Sequence, residues 1–317
     1  MNQVIHVFEA ATPTVTEATN GFLASCKARN LSPQTYDYYR HRLTAFAKFL
    51  EANGGDKAAA EVTTADVRAF LTQQLEENSP TTASHSYTAL SAFYKHLERE
   101  GYVNQNVMAR VEKPKRRKTL IQTLSAAQVE ALLRTCVGRG FYAVRDRAAL
   151  LALLDTGLRA SELCGLELDD LSLEEQTMLV LGKGDKERVV PFGASVKSAL
   201  VSYLNKRGDD AGAVFVNHFG EPLTRYGLRG MVIRRGQEGG ITGVRLSPHT
   251  LRHTMAVSYL RAGGDVFSLQ KLLGHSDLSM TRKYAELSEQ DVLEKHRRFS
   301  PMDALKPKAK SGRRRLR

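Results

Sequence analysis

A strongly basic segment, Arg110–Lys118, divides the chain into two regions and constrains its folding more than any other feature. Six of these nine residues are Lys or Arg and one is acidic, and the second part, Lys113–Lys118, contains a proline and no apolar side chain. Because such a stretch has nothing to bury and proline interrupts regular structure, a domain boundary is predicted here. The length of 317 residues agrees, since domains commonly hold about 100 to 200 residues.

The region before this segment has the apolar periodicity of α-helices. Ser32 and Pro33 form a helix-start signal, in which the serine caps and the proline occupies the first turn, and apolar residues then recur every three or four positions. Thr64–Glu77 and Ser79–Arg99 repeat the pattern, and a further helix is predicted near Ala18–Arg29. The first region is therefore predicted to be a bundle of about four helices.

The region after the segment is predicted to be mostly helical with a small sheet. Ser125–Gln128 has the pattern of a capping box, and Ala148–Leu154 is typical of a buried helix that ends at Gly157. Two β-prone runs between Thr177 and Pro191 flank a glycine-rich turn, which favours a hairpin. Further helices are predicted near Ser195–Lys206, Thr224–Arg235, Pro248–Arg261, Val266–Leu273 and Ser279–Leu287. The fold class is therefore mainly α with a small β-sheet or hairpin.

The positive charge is concentrated in two places along the chain. Arg110–Lys118 and the C-terminal run Lys306–Arg317 account for the whole formal net charge of +12. A polyanion such as DNA binds basic clusters because each neutralised phosphate releases condensed counterions. Both runs are equally compatible with solvated linkers, and neither has the apolar alternation of a membrane-surface helix. The candidate DNA-binding residues are Arg110, Lys113, Lys115, Arg116, Arg117, Lys118, Arg313, Arg314 and Arg315.

Composition disfavours several other classes of protein. The apolar runs are far shorter than the eighteen or more residues that a membrane span needs, and the N-terminus lacks the pattern of a signal peptide. The three cysteines share no C-x-x-C spacing, so neither a disulfide framework nor a cysteine-based zinc site is indicated. We therefore expect a cytoplasmic protein with reduced thiols and no membrane partner.

The stretch Ser247–His253 is the most informative about chemistry. Ser247 and Pro248 predict a helix start that places His249 in the first turn, three residues before Arg252 on the same face. Free backbone N–H groups and the positive end of the helix dipole suit a phosphate at this position. Two alternatives stay open here: an ordinary polar pair, or a zinc site formed by His249 and His253, although Thr250 replaces the glutamate of an H-E-x-x-H motif.

Three other fragments occur in order with this stretch. They are Thr156–Leu163, which contains Arg159 and Glu162; Gly182–Gly184, which contains Lys183; and Leu272–His275, followed nine residues later by Tyr284. Each fragment alone has an ordinary explanation as a cap, a solvated turn or a common tyrosine. In combination they resemble the tyrosine recombinases, also called the phage-integrase family, and most closely the Xer-type recombinases. The resemblance covers the chain from about Thr16 to Phe299.

The resemblance implies the architecture of the protein. It implies a helical, SAM-like core-binding domain over residues 14–110, a basic linker over 111–118, a catalytic domain over 119–300 and a basic tail over 301–317, with the two domains closing on DNA as a C-shaped clamp. It also implies a supporting role for Glu162. The implied catalytic set is Arg159, Lys183, His249, Arg252, His275 and Tyr284.

The resemblance also implies a reaction. Tyr284 would attack the scissile phosphate to form a 3′-phosphotyrosyl link and release a 5′-hydroxyl. Two arginine forks, with a hydrogen bond from His275, suit the non-bridging oxygens. Lys183 is the candidate general acid, and His249 is the candidate for assisting proton transfer from the tyrosine. These charges replace the metal ions of most phosphoryl-transfer enzymes, so we expect no metal, no cofactor and no ATP.

The implied partners are a double-stranded DNA recombination site and three further protomers, as a homotetramer or a heterotetramer with a paralogue, associated with the nucleoid. Strand exchange would pass through a Holliday junction. Three alternatives are a type IB topoisomerase, a DNA-binding regulator with a decayed site, and zinc-dependent hydrolysis. The target sequence, and the choice among chromosome-dimer resolution, plasmid resolution and mobile-element integration, stay open. Apolar residues between Leu287 and Leu305 are expected to pack on a neighbouring protomer, or otherwise on their own domain.

Overall fold

The chain forms two compact units, Met1–Thr119 and Leu120–Arg317. This division is seen in a computed structural model, which describes residues 12–115, 121–182, 187–208, 210–274, 281–284 and 300. The described part of the first unit contains four α-helices: α1 (Val15–Ala28), α2 (Pro33–Ala52), α3 (Thr64–Glu77) and α4 (Pro80–Arg99). The prediction of a four-helix bundle is confirmed.

Local capping explains where these helices begin. Ser32 caps α2 with Pro33 in its first turn, as predicted, and Ser79 does the same for α4. Helix α1 begins earlier than the sequence suggested, because Thr14 and Glu17 form a capping box. Aromatic and aliphatic side chains pack together in the core between the helices. The ring centroids of Phe22 and Phe93 lie 5.8 Å apart in an edge-on arrangement.

The second unit surrounds a central helix with further helices and a small sheet. Its helices are α5 (Ala126–Arg134), α6 (Phe141–Thr156), α7 (Ala160–Cys164), α8 (Ala194–Arg207), α9 (Arg225–Glu238), α10 (Pro248–Arg261) and α11 (Val266–Leu273). Its strands are β1 (Leu171–Ser172), β2 (Thr177–Leu181) and β3 (Glu187–Pro191). Residues 281–284 form a further helical turn. The predicted fold class, mainly α with a small sheet, is confirmed.

The sheet is antiparallel in the order β1-β2-β3. Leu179 pairs with Val189, and Leu181 pairs with Glu187 next to the connection between β2 and β3. The predicted hairpin is therefore confirmed, while residues 183–186 of its connection lie outside the described residues. Strand β1 was not predicted, because its two residues are too short to show a period of two.

Helix α6 forms the centre of the second unit. It ends where predicted, at Gly157, which takes the left-handed conformation with φ of 64°. It begins at Phe141, earlier than the apolar run indicated, because Arg145 and Asp146 are buried in its first turns. Nη2 of Arg145 lies 2.7 Å from Oδ1 of Asp146. This ion pair allows two charged side chains to be buried in the core.

Two expectations from composition concern membrane-spanning helices and the cysteines. Across the part of the chain that the structure describes, no helix is both long and apolar enough to cross a membrane. Cys26 and Cys136 are buried and Cys164 is half-buried, and all three are free thiols.

Candidate active site

The structure describes four of the six predicted catalytic residues, all in the second unit: Arg159, His249, Arg252 and Tyr284. The other two, Lys183 and His275, lie outside the described residues. The supporting residue Glu162 lies in α7, one turn after Arg159 at the N-cap of that helix. Helix α7 itself was not predicted.

Glu162 holds both the backbone and the side chain of Arg159. The backbone N–H of Arg159 donates to Oε2 of Glu162 at 2.8 Å, and its Nη1 donates to Oε1 at 2.6 Å. The Glu162 side chain is only 3% exposed, whereas that of Arg159 is 31% exposed. The carboxylate is therefore a buried anchor, and the guanidinium extends from it toward the surface.

Arg188 in β3 is a second partner of the same carboxylate, and it was not predicted. Its Nη1 and Nη2 donate to Oε1 and Oε2 of Glu162 at 3.0 and 2.9 Å. Burial opposes ionisation of Glu162, but hydrogen bonds from Arg188 and Arg159 outweigh it and lower its pKa to about 2. A signal did exist in the sequence, since Arg188 is two residues from Val190 in a strand and so shares its buried face.

Arg252 is buried and bridges the ends of two helices. Its Nη1 donates to the carbonyl of Gly157 at 2.5 Å, and its Nη2 donates to the carbonyl of Leu273 at 2.7 Å. Burial first, and then the charge of Arg159, lower its pKa to about 10. The guanidinium thus stays protonated at neutral pH.

The C-terminal end of α11 brings three guanidinium groups together. Its last carbonyls have no partner within the helix and carry the negative end of the dipole. Three successive carbonyls accept hydrogen bonds from three different arginines: Leu272 from Arg188 Nε at 3.0 Å, Leu273 from Arg252 Nη2, and Gly274 from Arg159 Nη2 at 3.3 Å. A concentration of positive charge at one helix end is suited to an anionic substrate.

Two histidines in α10 take different positions. His249 lies in the first turn, as predicted, and is exposed. Its pKa is lowered by partial desolvation of the ring and by the charges of Arg252 and Arg159. His253 is half-buried, and Nδ1 of its ring lies 2.6 Å from the hydroxyl oxygen of Tyr284. Burial, followed by the neighbouring His249 and Arg252, lowers the pKa of His253 to about 4. The sequence suggested His253 only as a zinc ligand.

Tyr284 is 1% exposed and packs in an apolar cluster with residues of α10 and α11. Burial raises the pKa of its phenol, while the charges of Arg252 and Arg159 act in the opposite direction. The candidate nucleophile is therefore protonated at neutral pH and lies within the electrostatic influence of both candidate catalytic arginines.

Within the described residues, no three His, Cys, Asp or Glu side chains are grouped so as to hold a metal ion. A reaction without metal, cofactor or ATP stays a prediction. Of the candidate DNA-binding residues, Arg110, Lys113 and Lys115 are exposed in the first unit. Six others lie outside the described residues: Arg116, Arg117, Lys118, Arg313, Arg314 and Arg315.

Comparison with known proteins identifies the class of protein. Residues 122–291 match the phage integrase family, and residues 19–102 match the N-terminal SAM-like domain of phage integrases. The tyrosine recombinase XerC of Pelobacter propionicus is 37% identical over 277 residues, covering 86% of this chain and 91% of the relative. That of Listeria monocytogenes is 34% identical, covering 86% and 93%. The chain belongs to the phage integrase family, and its activity is that of a tyrosine site-specific recombinase.

Solved structures share the fold at lower identity. A Tn1549 transposon integrase in complex with transposon right end DNA is 21% identical, with a TM-score of 0.74 over 92% of this chain and 99% of that chain. A lambda integrase tetramer bound to a Holliday junction is 20% identical, with a TM-score of 0.71 over 84% and 79%. These structures confirm the predicted two-part recombinase fold.

Proposed function

We propose that Tyr284 attacks the scissile phosphate of a duplex recombination site, forming a 3′-phosphotyrosyl link and releasing a 5′-hydroxyl. The observation that supports this proposal is the arrangement at the end of α11. There Arg159 and Arg252 donate hydrogen bonds to the adjacent carbonyls of Gly274 and Leu273, and their charges act to lower the pKa of the Tyr284 phenol. Fixed cations placed where charge develops stabilise a phosphoryl transition state without reorganisation. The 5′-hydroxyl of a second strand reverses the step, because the phosphotyrosine conserves an ester bond.

The other residues have distinct proposed roles. Arg159 is partly exposed and so can offer N–H groups to a non-bridging oxygen, while Arg252 supplies charge from below the surface. Lys183 is proposed as general acid to the 5′-oxygen, and His275 as a further hydrogen-bond donor. His249 keeps its proposed part in proton transfer, and the hydrogen bond to Tyr284 adds His253 as a group that can accept the phenol proton.

The proposed partner is DNA, bound by four protomers during strand exchange. Support comes from related structures: a lambda integrase tetramer bound to a Holliday junction and a XerH recombinase bound to its difH substrate. The first unit, with its exposed basic residues, is the proposed core-binding domain, and residues 111–118 are the proposed linker. Nucleoid association follows from this partner, and the tail after Lys306 is proposed to add non-specific phosphate contacts.

The decisive experiment is trapping the covalent intermediate. A nicked suicide substrate that contains the chain's own site should give an SDS-resistant protein–DNA adduct with the wild type and none with Tyr284→Phe, which should still bind DNA. Tyr259→Phe is the matched control, because Tyr259 packs against the same apolar cluster and should still form the adduct. Adduct formation by Tyr284→Phe would assign the nucleophile to another tyrosine. Chelation with EDTA should leave the wild-type yield unchanged.

A further inference from the structure

We propose that Arg188 is a positioning residue for cleavage. It shares the Glu162 carboxylate with Arg159 as a hydrogen-bond acceptor, and so keeps the Arg159 guanidinium directed at the scissile phosphate. This inference rests on the proposed function. Arg188 lies in β3, outside the set of residues that the family resemblance assigned to catalysis.

The contacts of Arg188 use the whole planar fork. Two of its nitrogens donate to the two oxygens of Glu162, and Nε donates to the carbonyl of Leu272. The side chain is 14% exposed, so these hydrogen bonds form away from bulk water. A single guanidinium thus ties α7, β3 and the end of α11 to one another.

Gly274 makes room for this arrangement. It takes the left-handed conformation with φ of 61°, and an added Cβ would lie 3.0 to 3.1 Å from Nη1, Cζ and Nε of Arg188. The guanidinium therefore packs directly against the glycine backbone. The carbonyl of the same glycine accepts a hydrogen bond from Arg159, so Gly274 contacts both arginines.

Competition for Glu162 explains why this geometry affects catalysis. The carboxylate has two oxygens, and with Arg188 in place the Arg159 guanidinium donates a hydrogen bond to only one of them, Oε1. Without the Arg188 fork, Oε2 is open to a second hydrogen bond from the Arg159 guanidinium. A bidentate pair with Glu162 would turn Arg159 away from the substrate phosphate.

The alternative is that Arg188 only neutralises a buried carboxylate and supports folding. Arg188→Lys separates the two roles, because lysine keeps the positive charge but offers one nitrogen in place of the three-nitrogen fork. Arg235→Lys is a matched control. Arg235 also pairs with a buried carboxylate, Asp146, donates to a carbonyl at a helix end, that of Thr135, and is 13% exposed.

The experiment compares single-turnover cleavage by the wild type, Arg188→Lys and Arg235→Lys on the suicide substrate, with DNA affinity and melting temperature measured in parallel. We expect Arg188→Lys to cleave about 10 to 100 times more slowly at nearly unchanged DNA affinity. Arg235→Lys should lose thermal stability to a similar extent and cleave at the wild-type rate.

A second substrate tests whether the defect acts through Arg159. A methylphosphonate at the scissile position removes one negative non-bridging oxygen, so cleavage depends less on a correctly aimed arginine. The ratio of wild-type to Arg188→Lys rates should therefore fall toward one on this substrate, and Arg188→Lys should add little to Arg159→Lys. Equal defects on both substrates, or rates unaffected by Arg188→Lys, would overturn the positioning role alone. Absence of any adduct with the wild type would overturn the proposed function as well.

Discussion

The hydroxyl oxygen of Tyr284 lies 2.6 Å from Nδ1 of His253, a residue 31 positions earlier in the chain. The phenol is almost completely buried, so this imidazole takes the place of water as its hydrogen-bonding partner. The pKa of His253 is about 4, so the ring is neutral at pH 7 and can accept the phenol proton. The candidate nucleophile is therefore held by a group that can also serve as its base.

This contact predicts an energetic coupling between the two residues. His253→Ala should lower the free energy of unfolding by about 1 kcal/mol, because it removes a hydrogen bond to the buried Tyr284 hydroxyl. Tyr284→Phe should cost less in the His253→Ala background than in the wild type, as urea denaturation of the four proteins would show. His253→Ala and Tyr259→Phe should be additive. Additivity of His253→Ala with Tyr284→Phe would contradict the coupling.

The lowered pKa of His253 predicts a loss of stability in mild acid. An unfolded histidine takes up a proton near pH 6.5, whereas the folded ring stays neutral down to about pH 4. The unfolded state binds more protons in this window, so the free energy of unfolding falls as the pH falls from about 6.5 to 4. His253→Ala should make this part of the stability curve flatter. An unchanged slope would show that other groups produce it.

The lowered pKa of Glu162 predicts a second loss of stability at lower pH. Its carboxylate stabilises the fold above its ordinary pKa of 4.5, and that contribution is lost as the pH falls toward about 2. Glu162→Gln should therefore destabilise the protein by about 3 kcal/mol at pH 7, because it leaves Arg188 and Arg159 without their anion. The difference from the wild type should shrink between pH 4.5 and 2 in denaturant titrations. A difference that is constant with pH would rule out ionisation as its cause.

The two candidate catalytic arginines should differ in their effect on folding. Arg159→Ala and Arg252→Ala should each slow cleavage by about 100-fold or more, with much smaller changes in DNA affinity. Arg252→Ala should also lower the melting temperature, since it removes the donor to the carbonyls of Gly157 and Leu273. Arg159→Ala should lower the melting temperature less than Arg252→Ala does, because the Arg159 side chain is partly exposed. A collapse of affinity with normal cleavage by bound enzyme would make both arginines DNA-positioning groups.

Gly274→Ala tests the close approach of Arg188 to the backbone. Gly240→Ala is its control, since the two glycines have φ of 61° and 65° but an added Cβ at Gly240 would meet no atom within 4 Å. Gly240→Ala should show only the strain of the left-handed conformation, about 1 kcal/mol, with normal cleavage. Gly274→Ala should cost more and slow cleavage, because Arg188 must move. Equal behaviour of the two variants would show that the approach is unimportant.

The sequence by itself determined most of the helices, the hairpin and the family, but not the short helix α7. The helix caps at Ser32 and Ser247, and the helix end at Gly157, depend on residues only a few positions apart. They can therefore be predicted from the sequence. The candidate catalytic set was predicted because its residue types occur in the order and spacing of the family motifs. These properties are local or depend only on the order of residues, so they can be predicted without knowledge of tertiary contacts.

Only the tertiary structure decided which groups hold the candidate catalytic residues in place. Arg188 reaches Glu162 across 26 positions, and His253 reaches Tyr284 across 31. Neither pair lies at a helical or strand period, so no pattern in the sequence could have joined them. Their roles follow from a buried carboxylate and a buried hydroxyl that must be satisfied, and burial is known only once α7, β3, α10 and the Tyr284 segment have packed together.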